Sequence, residues 1–594
     1  MVRVEANGNS TVLNLAQKTQ LYVSRPQGDV MSLRNCVVLP VILFTLAMLV
    51  ACGSTNNATP PPSGAFSNTD FSGTYTFSTV GTDVGAGGNL SGLIMAGSLN
   101  ACGCTSGQIS GGSVDLADNT GGIGVAAIGS TSVYSISKDG RGFAKLLITP
   151  TGGTQFEADV DFVLTSSSHG LITRFDQGGS GSGTLDLQST VAQTTLANTG
   201  FAFSLTGTDM AGNPLAQVGA FTLDSSGNII TTGANAGVAD TTLYNFGTFS
   251  AVPFANSPLS GTVLVGSGTT PGTASLLTSL SAQALAFDVY TVDATHLKLV
   301  ESDGLALLVG DVFTQPSASI AQGNYVFTMA GFDPGGNPFA AGGLMTSSAT
   351  SGGAGTISNG AEDLNDNGTV DFGTTTPQAF SGSFTNVPSV GAGRFQVTLS
   401  TFAGGTTFAA YPSSGGLLML EIDNFGAGSG ITGGVALAQT NGAAIAASQG
   451  YGMNLTGTDL TIGAELDEIA QFNTTSTGMT GLLDENDAAF TGVGSLGTGN
   501  LNGTYTAGSN GTGSASFNTG VESVFYYMVD NSTALFISTD TNPVDQVSLG
   551  SFEAQSTPTQ SALEQPHARA LPMLRAMSRS RKASARGTAR FVRK

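Results

Sequence analysis

Apolar and polar positions along this chain alternate or cluster over short runs, never over the three-to-four residue period of a helix. TYTFSTV, FAFSLTG, YVFTMAG and ALAFDVYTV gather β-branched and aromatic residues, each run bounded by Gly, Asn, Asp or Ser, which is the pattern of strands between turns. Turn signals recur where hairpins need them, in DSSGN at Asp224, DPGGNP at Asp333, SKDGRG at Lys138 and GSNGTG at Gly508. Between Gly200 and Gln315 about eight strands are predicted. The expectation is an all-β chain.

The strand text repeats four times. An aromatic residue followed eight positions later by an aspartate opens each copy: Tyr75 and Asp83, Phe201 and Asp209, Tyr325 and Asp333, Tyr451 and Asp459. Each copy closes on a glutamine, at Gln188, Gln315, Gln439 and Gln555, after a late aromatic run beginning at Phe156, Phe287, Phe408 or Phe525. Such a period marks a tandem array. Four modules are predicted, over 68–190, 196–316, 320–440 and 445–556. About 120 residues suffices for a closed sheet with its own core, so each module is expected to fold independently. Short connections favour antiparallel meanders that close into small up-and-down barrels and leave no free edge. In strand count and order these are similar to lipocalin-like or avidin-like meanders; immunoglobulin-like sandwiches are the alternative.

The start of the chain has a different texture. Residues 1–30 are polar and patternless and read as a non-native extension. From Met31, one arginine at Arg34 precedes an apolar stretch from Cys36 to Val50, shorter than the roughly 20 residues of a membrane span and laid out like a secretory signal. Leu49-Val50-Ala51-Cys52 resembles the lipobox of bacterial lipoproteins. That resemblance implies cleavage of 31–52, lipid on Cys52, and export to the cell envelope, with the outer membrane as destination because no aspartate follows Cys52; an uncleaved anchor helix is the other reading. Residues 53–67, with Pro60, Pro61 and Pro62, read as a tether. With its β-rich repeats, the chain resembles uncharacterised repeat lipoproteins of environmental bacteria.

Charge divides the chain. Between Gly53 and Gln555 stand 37 acidic and 6 basic residues, a body that repels nucleic acid phosphates. The tail 557–594 carries nine Lys and Arg against Glu564; it reads as disordered, or as a contact for anionic lipid or polysaccharide.

Candidate chemistry is sparse. Cys102 and Cys104 in ACGCT form a possible disulfide or two thiols of one loop, lacking the further ligands zinc wants. DLNDNGTVD places Asp363, Asn365, Asn367 and Asp371 as oxygen ligands around Gly368, the first half of a calcium loop, although Thr374 stands where the bidentate glutamate belongs. Acidic text near Asp115 and Asp484 points instead to a shared hairpin turn. No other cofactor is implied. Neither His169 nor His296 is given a histidine counterpart in another copy, and pairs such as Glu157 with Asp159 or Glu421 with Asp423 read as solvated strand faces. Catalytic residues are not predicted. The repeated aspartates are expected to cap turns. Three classes stay open: a binding or adhesion protein for a glycan, small-molecule or surface-protein ligand, a structural spacer, and an extracellular hydrolase.

Overall fold

The computed structural model describes residues 66–556, apart from 86–88, 120, 282, 350–352, 372–376, 388–392, 404, 424–428, 462, 489–494, 519–521 and 541–545. Cys52, the signal segment, the tether up to residue 65 and the basic tail lie outside the described residues. What is described is strand and turn, with three short 3-10 turns and no α-helix.

Four antiparallel sheets follow one another, over 72–187, 200–314, 323–438 and 450–554. Consecutive strands pair as a meander, and in every sheet the first strand returns to pair with the last. The register is the same in each: Tyr75 faces Leu187, Phe201 faces Thr314, Tyr325 faces Ala438 and Tyr451 faces Ala554. The opening aromatic of each copy therefore sits opposite the residue before its closing glutamine. All four rings are buried.

The fourth sheet is a closed eight-stranded barrel. In the first sheet Gly121–Ile128 also pairs with Arg141–Pro150, and in the third Pro338–Ala349 also pairs with Ala354–Asp366, so both curl back on themselves. The second departs from the expected closure. Its strand Ser250–Pro258 runs into Ser260–Leu264 without pairing to it, and Pro258 supplies no N–H at the corner. The segment around Asn228 covers that edge instead, through a bridge to Thr262 and a bond from Val263 N to Gly227 O.

About eight strands give a lumen just wide enough to be filled by side chains, and in these sheets of nine, nine, nine and eight strands side chains fill it. Phe71, Tyr75, Phe77, Phe162 and Leu164 pack inside the first module, Phe201, Phe203, Phe221 and Phe287 inside the second, Phe327, Phe384, Phe395 and Phe408 inside the third, and Phe472, Phe517, Phe536 and Phe552 inside the fourth.

Independent modules are not what this interior produces, because the outward faces are apolar too. All nine residues of Pro214–Thr222 are buried. Val80, Ile94 and Ala96 of the first module pack on Tyr290, Val300 and Val309 of the second. Ala202, Val218 and Tyr244 of the second meet Tyr411 and Leu418 of the third, and Ala330 and Ala340 of the third meet Ile537 and Leu549 of the fourth. Ile469 of the fourth then packs on Val163 and Leu171 of the first. The modules close into a ring.

Candidate functional site

The repeated glutamines are the clasps of this ring. In each copy the backbone N–H of the glutamine bonds the first strand of its own module, at Thr74, Gly200, Asn324 or Gly450, always at 2.7 Å. This aims the side-chain amide at the next module. Gln188 Nε2 donates to Thr291 O at 2.7 Å, Gln315 Nε2 to Pro412 O at 3.1 Å, and Gln439 Nε2 to Met528 O at 2.9 Å. Gln555 Nε2 completes the circuit by donating to Asp139 O at 2.7 Å and Leu164 O at 2.9 Å of the first module. Thr291, Pro412, Met528 and Leu164 lie at or next to the ends of the late aromatic strands, so two of the sequence repeats are the two halves of one contact.

The calcium-loop candidate belongs to the same system. Asp363 and Asn365 lie on the strand Ala354–Asp366, and Asn367 and Gly368, at φ 52° and 80°, form the two-residue turn into Thr369–Asp371, as an Asn-Gly hairpin requires. Asp363 accepts a 2.5 Å hydrogen bond from Tyr527 OH, and Asn365 Nδ2 donates to Gln546 O at 2.7 Å and Ser538 O at 3.0 Å, all in the fourth module. Asn367 is exposed at the turn. The Asp371 side chain lies outside the described residues. The four positions are thus strand and hairpin rather than one loop wrapped around a point, and two of them are engaged with a neighbouring module.

Asp115 and Asp484 are likewise mid-strand, not at a shared turn. Asp115 accepts from Tyr290 OH at 2.5 Å across the first junction. Asp240 is the counterpart in the second module: it accepts from Tyr411 OH at 2.5 Å and from both Nε and Nη2 of Arg394 at 2.7 Å. Two residues after Asp240, Asp363 and Asp484, Thr242 Oγ1 donates to Glu421 O, Asn365 to Ser538 O and Asn486 to Arg174 O, the same strand end each time. At the fourth junction Val163 stands where the other three have tyrosine. Burial pushes Asp115 up to about 7, and it raises Asp363 as well.

The histidines correct the sequence reading. His169 faces Asp186 and His296 faces Phe313, each pair in the last hairpin of its module, so the two are counterparts 127 residues apart. His169 Nδ1 bonds Asp186 Oδ1 at 2.6 Å and its Nε2 bonds Glu553 Oε2 of the fourth module at 3.0 Å. Lys298, fully buried, reaches Asp186 at 3.1 Å and Asp311 at 3.2 Å, and His296 Nε2 bonds Asp311 at 2.7 Å. Burial opposes charge on His169, but Asp186 and Glu553 outweigh it and hold the imidazolium up to about 10. Burial likewise disfavours charge on Asp311, and Lys298 and His296 overcome it, lowering the carboxyl to about 2.

Cys102 and Cys104 are bridged across Gly103, whose φ of 60° suits glycine. Of the repeated aspartates, Asp209, Asp333 and Asp459 accept from backbone N–H groups of their own turns, at Asn213, Asn337 and Thr461. Asp83 instead meets Arg174 Nη1 at 3.3 Å. Glu157 is exposed and pairs with Lys145 at 2.7 Å; Glu421, read as solvated, is 3 % exposed. Sequence reasoning missed Lys298, Arg394 and the tyrosines at 290, 411 and 527. The recurrence of tyrosine at one position in three copies was the signal for the last.

No protein-family model matches this chain, and no curated protein matches it. Among solved structures, two crystal structures of the vaccine antigen Transferrin Binding Protein B from Haemophilus parasuis Hp5, a single and a double mutant, are similar at 9% identity. The comparison covers 67% of this chain and 86% and 82% of theirs, with a TM-score of 0.13 in both. No helix among the described residues is long and apolar enough to cross a membrane.

Proposed function

We propose that this chain is an exported lipoprotein, held at the cell envelope through lipid on Cys52, that presents a ring of four β-modules as a binding or adhesion surface. The observation that carries binding over spacing is the closure of the ring. A spacer acts by separating its ends. Here Phe66 N bonds Lys138 O and Ser556 N bonds Thr165 O, so both ends of the ring rest on the first module and four copies add no reach. What the ring adds is a rigid set of loop-bearing rims in fixed relation, which suits multivalent contact with a glycan or surface protein. The lumens are packed with side chains, so the rims and outer surface are what remains for a glycan or protein ligand. The histidines are enclosed in the junctions, which gives a hydrolase reading no support.

Two measurements test this. Replacing Cys52→Ala should move the protein from the membrane to the soluble fraction; unchanged fractionation contradicts lipid attachment. The whole Cys52→Ala chain, rather than one module with its apolar flanks bared, should retain ligands on glycan and surface-protein arrays. Failure to retain any returns the spacer reading.

A further inference from the structure

Three glutamates converge inside the fourth barrel. Glu468 lies on the strand Ala464–Thr474, Glu485 on Gly478–Ala488 and Glu522 at the start of Glu522–Met528. Glu468 and Glu485 are direct cross-strand partners, and one carboxylate oxygen from each of the three lies within 4.8 Å of the others. Their direction follows from the two-residue period of a strand: Leu466, Ala470, Leu483 and Val524, two positions away on the same faces, all belong to the core of this barrel.

Nothing within the module neutralises them. From Gly450 to Gln555 there are twelve acidic residues and no Lys, Arg or His. Glu468 is 2 % exposed and its Oε2 has no hydrogen-bond partner. Asp487, two residues beyond Glu485 on the same strand face, is 7 % exposed, and its Oδ1 is likewise without one. A buried carboxylate oxygen lacking a donor is costly unless a proton or a cation reaches it. Asp540, by contrast, is satisfied by Ser523 N and by Gln546 Nε2.

We propose that Glu468, Glu485 and Glu522 form a site for a hard divalent cation of the calcium type inside the fourth barrel. Oxygen ligands alone, with no sulfur or imidazole, select such an ion. Two ligands of one calcium ion, each about 2.3–2.6 Å from it, stand at most about 5 Å apart, which the present spacing meets. Three carboxylates on three strands supply up to about six oxygens in the adaptable geometry calcium accepts and magnesium does not. Burial and mutual repulsion hold Glu468 well above the usual carboxyl range and Glu522 up to about 7. Cation binding therefore displaces protons.

The test is calorimetric titration of calcium chloride into the chelator-treated full chain carrying Cys52→Ala, at pH 7.5, with thermal melting in parallel. Saturable binding and a rise in Tm of about 2 °C or more are expected. Glu468→Gln and Glu522→Gln should each weaken binding by about tenfold or more, and Glu468→Gln should also raise Tm without calcium, since the neutral amide removes a buried acid. Asp363→Asn should leave the affinity unchanged, separating this site from the hairpin at 363–371. If Glu468→Gln does not fold, the half-buried Glu485→Gln decides the matter by the same loss of affinity. Absence of saturable binding up to about 10 mM calcium, or undiminished affinity in the glutamine variants, overturns the proposal.

Discussion

At the scale of single residues, this protein keeps an unusual number of carboxyls out of water, and their titration sets how its stability answers to pH. Burial above all pushes Asp115 up to about 7 and Glu362 and Glu421 up to about 8. In the unfolded chain such groups titrate near pH 4. Between roughly pH 4 and 8 the folded state therefore holds protons that the unfolded state has released, and stability falls as pH rises through that window. His169 acts in the same direction higher up: its contribution is complete below about pH 6.5 and is lost as pH rises through about 10. Asp311, lowered to about 2, opposes only in strong acid, its contribution being present above about pH 4 and lost as pH falls through 2. Melting temperature should thus be highest near pH 5 and decline by pH 8. A scan in which it rises steadily over that interval contradicts these assignments. Little of this was legible beforehand, because an aspartate within a strand pattern reads as a solvated face until the neighbouring module covers it. Asp363 shows the problem: the residues around it match the first half of a calcium-loop pattern, while its partner, Tyr527, lies 164 positions away.

At the scale of elements, the strand pattern and its repeat were open to reading. The four aromatic openings, the three of four repeated aspartates that cap turns and the Asn-Gly hairpin all carry local signals. The outward faces were harder. In Pro214–Thr222 no polar alternation distinguishes a face that meets the lumen from one that meets another module, and a strand buried on both faces reads as a continuous apolar run. The closing glutamines were visible as markers but not as contacts. Their role gives a graded expectation. Gln555→Ala removes two buried bonds between the fourth and first modules, and should cost about 2 kcal/mol, whereas Gln188→Ala, with one bond across its junction, should cost about 1 kcal/mol. Urea unfolding of the two variants checks the order; equal or negligible losses would show that the glutamines end the copies without joining them.

For the whole molecule, ring closure rests on contacts that no local pattern encodes. Gln555 and Asp139 are separated by 416 residues, and the packing of Ile469 on Val163 and Leu171 links strands of the fourth and first modules. A tandem period is compatible with a line, a helix or a ring, and the choice depends on outward faces whose partners are known only once the chain is folded. Closure is also what separates a binding platform from a spacer. Small-angle scattering of residues 58–556 measures it most directly: four such modules in a ring give a radius of gyration of roughly 27 Å, and four in a line roughly 40 Å, when each has the size of a compact domain. The ring predicts the smaller value with the first and last modules in contact; a value near the larger one would contradict it.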